Sequence, residues 1–223
     1  MTTILHIDAS AREKGDTTTK HKSISKSLAA HFTNRWLATN NQDKVIYRDI
    51  GANPPAFISQ DWIAAVFTPD EQQTTQQKSL LSLSNTLISE VERADLIVMS
   101  TPMYNYGMPA VLKAWFDQVI RINKTISFDL ARGDFPLAPI MSGKTLVLIT
   151  SSGEFGFEIG GVREHMNHLG PHVKTASKYL GVESFHEIKS EYQEFGDDRH
   201  QQSVTNAYRD IDILVSTLSE TQS

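Results

Sequence analysis

The sequence predicts an α/β fold: a five-stranded parallel sheet with helices on both faces. Three observations carry this. Five short apolar runs alternate with stretches of helical periodicity. The run Thr145-Leu146-Val147-Leu148-Ile149-Thr150 is nearly all apolar, as a parallel strand covered on both faces must be. The first, third and fourth runs each give way to a loop of small, polar or aromatic residues, and open α/β sheets hold ligands at the carboxyl ends of their strands.

The elements follow in order. Ile4 to Asp8 is the first strand, and Asp8-Ala9-Ser10 opens a polar loop that runs to Thr19. A helix spans Lys20 to Ala38, because Ile24, Leu28, Phe32 and Trp36 draw one apolar stripe. Asp16 and the threonines after it are suited to cap it. Lys44 to Asp49 is the second strand. Residues 51–75 form a long connection broken by Pro54, Pro55 and Pro69, with room for one short helix at Asp61 to Val66. A connection of this length usually serves as a lid or an interface.

Gln76 to Arg93 is helical, with Leu80, Leu83, Leu87 and Val91 facing inward. Asp95 to Ser100 is the third strand. The turn Thr101-Pro102-Met103-Tyr104-Asn105-Tyr106-Gly107-Met108 leads into a helix from Pro109, at its first turn, to Ile122. Residues 123–142 form a second long connection, carrying Phe128, Phe135, Pro136 and Pro139. The fourth strand then runs into Ser151-Ser152-Gly153-Glu154-Phe155-Gly156. A helix from His172 to Leu180, a fifth strand from Val182 to Lys189 and a last helix from His200 to Leu218 complete the chain. No internal repeat or linker divides residues 1–223, which read as a single domain.

A chain of 223 residues buries roughly 70% of its unfolded surface and needs no disulfide or metal to hold it. The net charge of −5 and the lack of a Lys/Arg run argue against a nucleic-acid partner. There is no cysteine, which excludes thiol catalysis, disulfides and Cys-based zinc sites. The first residues enter a strand at once, without a signal-peptide pattern, and no apolar run approaches the ~18 residues of a membrane span. A cytoplasmic protein is expected. His165, His168 and His172 have helical spacing, but Gly170-Pro171 interrupts them, and no metal site is assigned.

Several nucleotide and hydrolase patterns are absent. There is no G-x-G-x-x-G and no G-x-S-x-G. Ala138 to Thr145 imitates a phosphate-binding P-loop, yet Gly143-Lys144-Thr145 enters a strand where a P-loop must open a helix. The third strand ends in Ser100-Thr101, without the aspartate of a phospho-receiver. What remains is one loop suited to a phosphate and two suited to a flat ring. Ser10, Thr17, Thr18 and Thr19 offer hydroxyls at a helix N-terminus, where free N–H groups favour an anion. Spacing alone leaves open whether they bind phosphate or cap the helix, and whether Tyr104, Tyr106 and Phe155 line a ring or pack in loops. In a flavodoxin-like sheet of order 2-1-3-4-5, strand ends one, three and four would lie side by side at the switch point, where flavin mononucleotide (FMN) would lie.

The stretch Pro102-Met103-Tyr104-Asn105-Tyr106-Gly107, with Pro109, Leu112, Lys113, Phe116 and Asp117 behind it, resembles the FMN-dependent NADH:quinone oxidoreductases known as azoreductases, a family of the flavodoxin-like superfamily. Val147 to Gly153, Ser10 and the Asn53-Pro54 after Arg48-Asp49 are similar too. The resemblance implies that Ser10 and Thr17, Thr18 and Thr19 hold the FMN phosphate and ribityl chain. It implies that Pro102, Met103, Tyr104, Asn105 and Tyr106 line the isoalloxazine, largely through backbone groups. Ser151, Ser152, Gly153 and Glu154 would close its pyrimidine side. It further implies a homodimer with each site at the interface. The activity implied is two-electron, ping-pong hydride transfer from NADH or NADPH to quinones or azo compounds, with no dedicated catalytic side chain. A flavodoxin-type electron carrier is the alternative, although carriers are usually shorter and more acidic.

The chain departs from the family at Asp16-Thr17-Thr18-Thr19, where serines are usual, and at Gly153-Glu154-Phe155-Gly156, where Arg-Gly or Gly-Gly is usual. A carboxylate added there would lower a flavin's potential. The segment Ile122 to Phe128 also departs, which bears on substrate preference.

Overall fold

The computed structural model describes residues 1–14 and 22–221. Its main sheet holds five parallel strands: β1 (Thr3–Asp8), β2 (Lys44–Asp49), β3 (Leu96–Pro102), β6 (Lys144–Ser151) and β7 (Val182–Ser190). Their order is β2-β1-β3-β6-β7, which is the expected 2-1-3-4-5 order when the main sheet is counted alone.

The two-residue period of a strand divides the core. Leu5, Ile7, Ile97, Met99, Leu146 and Leu148 face α3 (Thr75–Arg93), α4 (Ala110–Val119) and α5 (Gly170–Ser177). Ile4, Val98, Val147 and Ile149 face α1 (Ile24–Thr39) and α6 (Asp198–Thr221), where Leu28, Phe32, Trp36, Ile211 and Val215 are buried. The short helix in the first long connection forms as α2 (Gln60–Val66).

Four expectations change. α1 begins at Ile24, not Lys20, and its cap is Ser23, whose hydroxyl accepts from the Lys26 N–H. Asp16 and the threonines expected to cap it lie outside the described residues. Leu80 is exposed; the inward stripe of α3 is Leu81, Ser84, Leu87, Ile88 and Val91, because the helix sits one residue further round than a strict four-residue spacing implies. α4 ends at Val119, before Ile122. Residues 123–142 are not irregular throughout: β4 (Ile126–Phe128) pairs antiparallel with β5 (Leu137–Pro139). Only three residues pair on each side, too few to show a periodic pattern in sequence.

Lys144 opens β6 and donates its Nζ to the Ala94 carbonyl at 2.6 Å, so the residue that imitates a P-loop lysine ties one strand entry to another.

Candidate functional site

The carboxyl ends of the strands lie in register: Asp8 opposite Ser100, and Pro102 opposite Ser151, itself opposite Ser190. Backbone bonds carry the stitching past the strands, from Ala9 N to Ser100 O at 2.9 Å, Met103 N to Ser151 O at 2.8 Å and Ser152 N to Ser190 O at 2.9 Å. Four loops therefore emerge side by side. A groove between them is lined by Ser10, Arg12, Lys22, Ser23, Pro102, Met103, Tyr104, Ser151, Gly153, Gln193 and Glu194.

Under Ser10 lies a buried polar cluster. The alternation that sends Ile7 to one face sends His6 and Asp8 to the α1 face. Ser100 Oγ donates to Asp8 Oδ1 at 2.5 Å, Tyr47 OH donates to Oδ2 at 2.8 Å, and His6 Nε2 lies 3.1 Å from Oδ1. His6 Nδ1 meets Thr33 Oγ1 of α1 at 3.0 Å. Burial alone would raise the Asp8 pKa, but the bonds from His6, Ser100 and Tyr47 outweigh it and hold the carboxyl below the usual range. The Asp8 carbonyl also accepts from the N–H groups of Ile50 and Gly51. A methyl at Gly51 would stand 1.9 Å from the Ser10 carbonyl oxygen, so only glycine lets these backbones pass.

Ser10 is buried, and its Oγ accepts from Arg12 N at 3.1 Å. Arg12, Lys22 and Ser23 join it at the N-terminus of α1, giving two cations and hydroxyls where helix N–H groups point outward. This end suits a phosphate. Thr17, Thr18 and Thr19, expected here, lie outside the described residues.

The turn after β3 is a tight hairpin. Tyr104 N donates to Gly107 O and Gly107 N to Tyr104 O, both at 3.0 Å. Asn105 (φ 47°) and Tyr106 (φ 66°) are both left-handed, a conformation that costs a non-glycine side chain about 1 kcal/mol or more. The Tyr106 carbonyl accepts from His168 N at 3.0 Å, which pins the turn from outside. Among the described residues the N–H groups of Asn105 and Tyr106 donate to nothing within the chain. Backbone donors held ready at the rim of a groove fit the polar edge of an isoalloxazine. Tyr104 and Tyr106 are half-exposed and offer ring surface beside it.

The loop after β6 closes the other side. Ser151 and Ser152 are buried, and Ser152 Oγ donates to Glu154 O at 2.8 Å. Glu194 N donates to Gly153 O at 3.0 Å, and the Glu194 side chain fills the space a Gly153 Cβ would need, 2.4 Å away. Ser10, Pro102, Met103, Tyr104, Ser151 and Gly153 thus come together on one groove; Ser152, Glu154, Asn105 and Tyr106 are not among the residues that line it. Sequence reading missed Arg12, Lys22, Ser23, Gln193 and Glu194. The last two follow the fifth strand, whose loop carries no recognisable motif; only the sheet order, which sets β7 next to β6, could have flagged it.

A second, apolar cavity of about 520 Å³ lies between α2 and the β4–β5 hairpin, lined by Trp62, Ile63, Phe67, Ile122, Phe128 and Leu137 among others. At its base, buried Arg121 donates to Ser84 Oγ and Asn85 Oδ1 of α3.

Residues 2–214 match a family model described as a flavodoxin-like fold. The chain is 71% identical, over 98% of its length and 100% of that protein's, to an FMN-dependent NADH:quinone oxidoreductase 2 of Colwellia psychrerythraea. It is 34% identical to an FMN-dependent NAD(P)H:quinone oxidoreductase 1 of Pseudomonas aeruginosa, over 93% of this chain and 95% of that one. Among solved structures, an FMN-dependent NADH-azoreductase from Bacillus anthracis in complex with FMN superposes with a TM-score of 0.83, covering 98% of this chain and 99% of that one at 17% identity. The chain belongs to the FMN-dependent NADH:quinone oxidoreductase family of flavodoxin-like enzymes.

Proposed function

We propose that the whole chain acts as one FMN-binding unit that transfers hydride from NADH or NADPH to quinones or azo compounds. The observation that carries this is the groove itself: cations and hydroxyls at the α1 end, free backbone N–H groups and aromatic surface at the other. When bound, FMN supplies the two-electron chemistry, with nicotinamide donor and quinone or azo acceptor using the same face in turn, a ping-pong order.

The chain's own residues do three things. Ser10, Arg12, Lys22 and the Thr17 to Thr19 hydroxyls hold the phosphate. Pro102, Met103, Tyr104, Asn105 and Tyr106 set the plane of the ring, with backbone donors toward its polar edge. Ser151, Ser152, Gly153 and Glu154 close the pyrimidine side. No dedicated acid is assigned among the described residues, and product protons come from water in this reading.

The acceptor side needs a second copy. The groove encloses only about 110 Å³, well below the roughly 300–1,000 Å³ typical of a closed small-ligand site. Phe67, Phe128 and Leu137, which line the apolar cavity beside α2, are exposed, and exposed apolar surface of this kind often marks an interface. A homodimer would cover both. The cytoplasm, where nicotinamides are abundant, is the proposed location; among the described residues no helix is long and apolar enough to cross a membrane. The test is steady-state oxidation of each nicotinamide by the FMN-loaded protein against a quinone and an azo dye. Parallel double-reciprocal lines are expected; absence of flavin reduction by either nicotinamide would overturn the reading.

A further inference from the structure

The loop after β6 is closed on itself. Gly156 (φ 81°) turns the chain, and Arg163 N returns to Gly156 O at 2.8 Å. The Arg163 side chain then reaches back. Its Nε donates to Glu154 Oε1 at 3.1 Å, its Nη2 lies 3.0 Å from the same oxygen as an ion pair, and its Nη1 donates to Phe155 O at 3.1 Å. Its guanidinium carbon lies 4.8 Å over the Phe155 ring, whose stacking partner is Tyr192 at 4.4 Å. The Glu154 carboxylate raises the pKa of the Tyr106 phenol. Arg163 thus closes the loop at 151–156 onto the carboxylate one residue past Gly153, which lines the groove.

We propose that Arg163 is a positioning residue for the flavin slot: it fixes Glu154 in the loop that closes the groove and cancels the carboxylate's charge beside the ring, which keeps the bound flavin's reduction potential from falling. This rests on the FMN reading above. The physical argument concerns charge. Gly153 lines the groove and Glu154 follows it directly. An uncompensated anion within about one Debye length, ~10 Å, disfavours adding electrons to a ring. A carboxylate introduced by this sequence would do that. Its pairing with a planar guanidinium, packed on an aromatic face, prevents it. A carboxylate that simply lowered the potential, as its position in the sequence implies, would stand unpaired.

The test uses the FMN-loaded full chain and two readouts, the midpoint potential by dye-equilibrated reduction and the FMN dissociation constant by fluorescence quenching. R163Q leaves the carboxylate bare: a more negative potential is expected, with FMN binding weakened about tenfold, the loss of one charge-assisted hydrogen bond. E154Q leaves the cation bare: a more positive potential is expected. The double variant should return to the wild-type potential. If both single variants weaken FMN binding and neither moves the potential, the pair merely braces the loop and the proposal is overturned while the FMN reading stands. If R163Q does not fold, E154Q decides by the presence or absence of an upward shift. A wild-type protein that binds no FMN would overturn the reading beneath the proposal, and the proposal with it.

Discussion

The polar groove and the apolar face are built on opposite logics. In the groove, among the described residues, the Tyr104–Gly107 hairpin, the Ser152–Glu154 bond and the Asp8 cluster tie up polar atoms within the chain, while the N–H groups of Asn105 and Tyr106 donate to nothing in it. On the face around Phe67 and Phe128, large side chains are exposed with nothing of the chain above them. A saturated rim with selected donors left over recognises a ligand with high directional demand. An uncovered apolar face meets only non-directional demand and is satisfied by a second surface. The first kind of site is fixed by backbone conformation, the second by area, and substitutions separate them.

The largest effect is expected at Asn105→Pro. Proline fixes φ near −65°, whereas the turn needs 47° here, so the hairpin opens. FMN binding should weaken by about 100-fold or more, equivalent to roughly 3 kcal/mol; full retention in a fluorescence titration would place the ring elsewhere. Gly51→Ala should come next. The added methyl must displace the Ser10 carbonyl, and overpacking of this kind costs about 1–3 kcal/mol, read as a lower urea midpoint together with weaker phosphate-end binding. An unchanged midpoint would mean that the Ser10 loop is free to move.

Phe67→Asp probes the other region. It should weaken association of two copies by roughly tenfold while leaving FMN affinity of the isolated chain unchanged. Sedimentation at several concentrations reads it, and a chain that sediments as a monomer before substitution would remove the proposed dimer.

The smallest effects are on pH dependence. Asp8 has a folded pKa below its ordinary 3.8. Its contribution is therefore present above about pH 4 and is lost as pH falls through the folded value. Asp8→Asn should flatten the acid limb of a stability–pH curve, and an unaltered limb would show that the cluster carries no linkage. Glu187 runs the opposite way. Burial raises its carboxyl pKa, so the folded state holds the proton more tightly and stability declines as pH rises from the ordinary value through the raised one. Glu187→Gln should improve stability at pH 8 more than at pH 4.

Much of this was legible before any coordinates. The nearly continuous apolar run at 145–150 could only be a central parallel strand, and the switch of period between runs marked the helices. The turn at 101–107 was recognisable because a strand, a small-residue turn and a helix follow one another within twenty residues, so local order is enough. The β4–β5 hairpin was not, since three paired residues give no period.

Sequence by itself determined the fold class and two of the loops that line the groove, because hydrophobic periodicity and turn chemistry are local properties of the chain. Only the tertiary structure brought Gln193 and Glu194 to the groove, set Arg163 against Glu154, and gathered Phe67 with Phe128 around one cavity. Those groups meet across crossovers of the sheet, and contacts between residues distant in the chain leave no periodicity for a sequence to show.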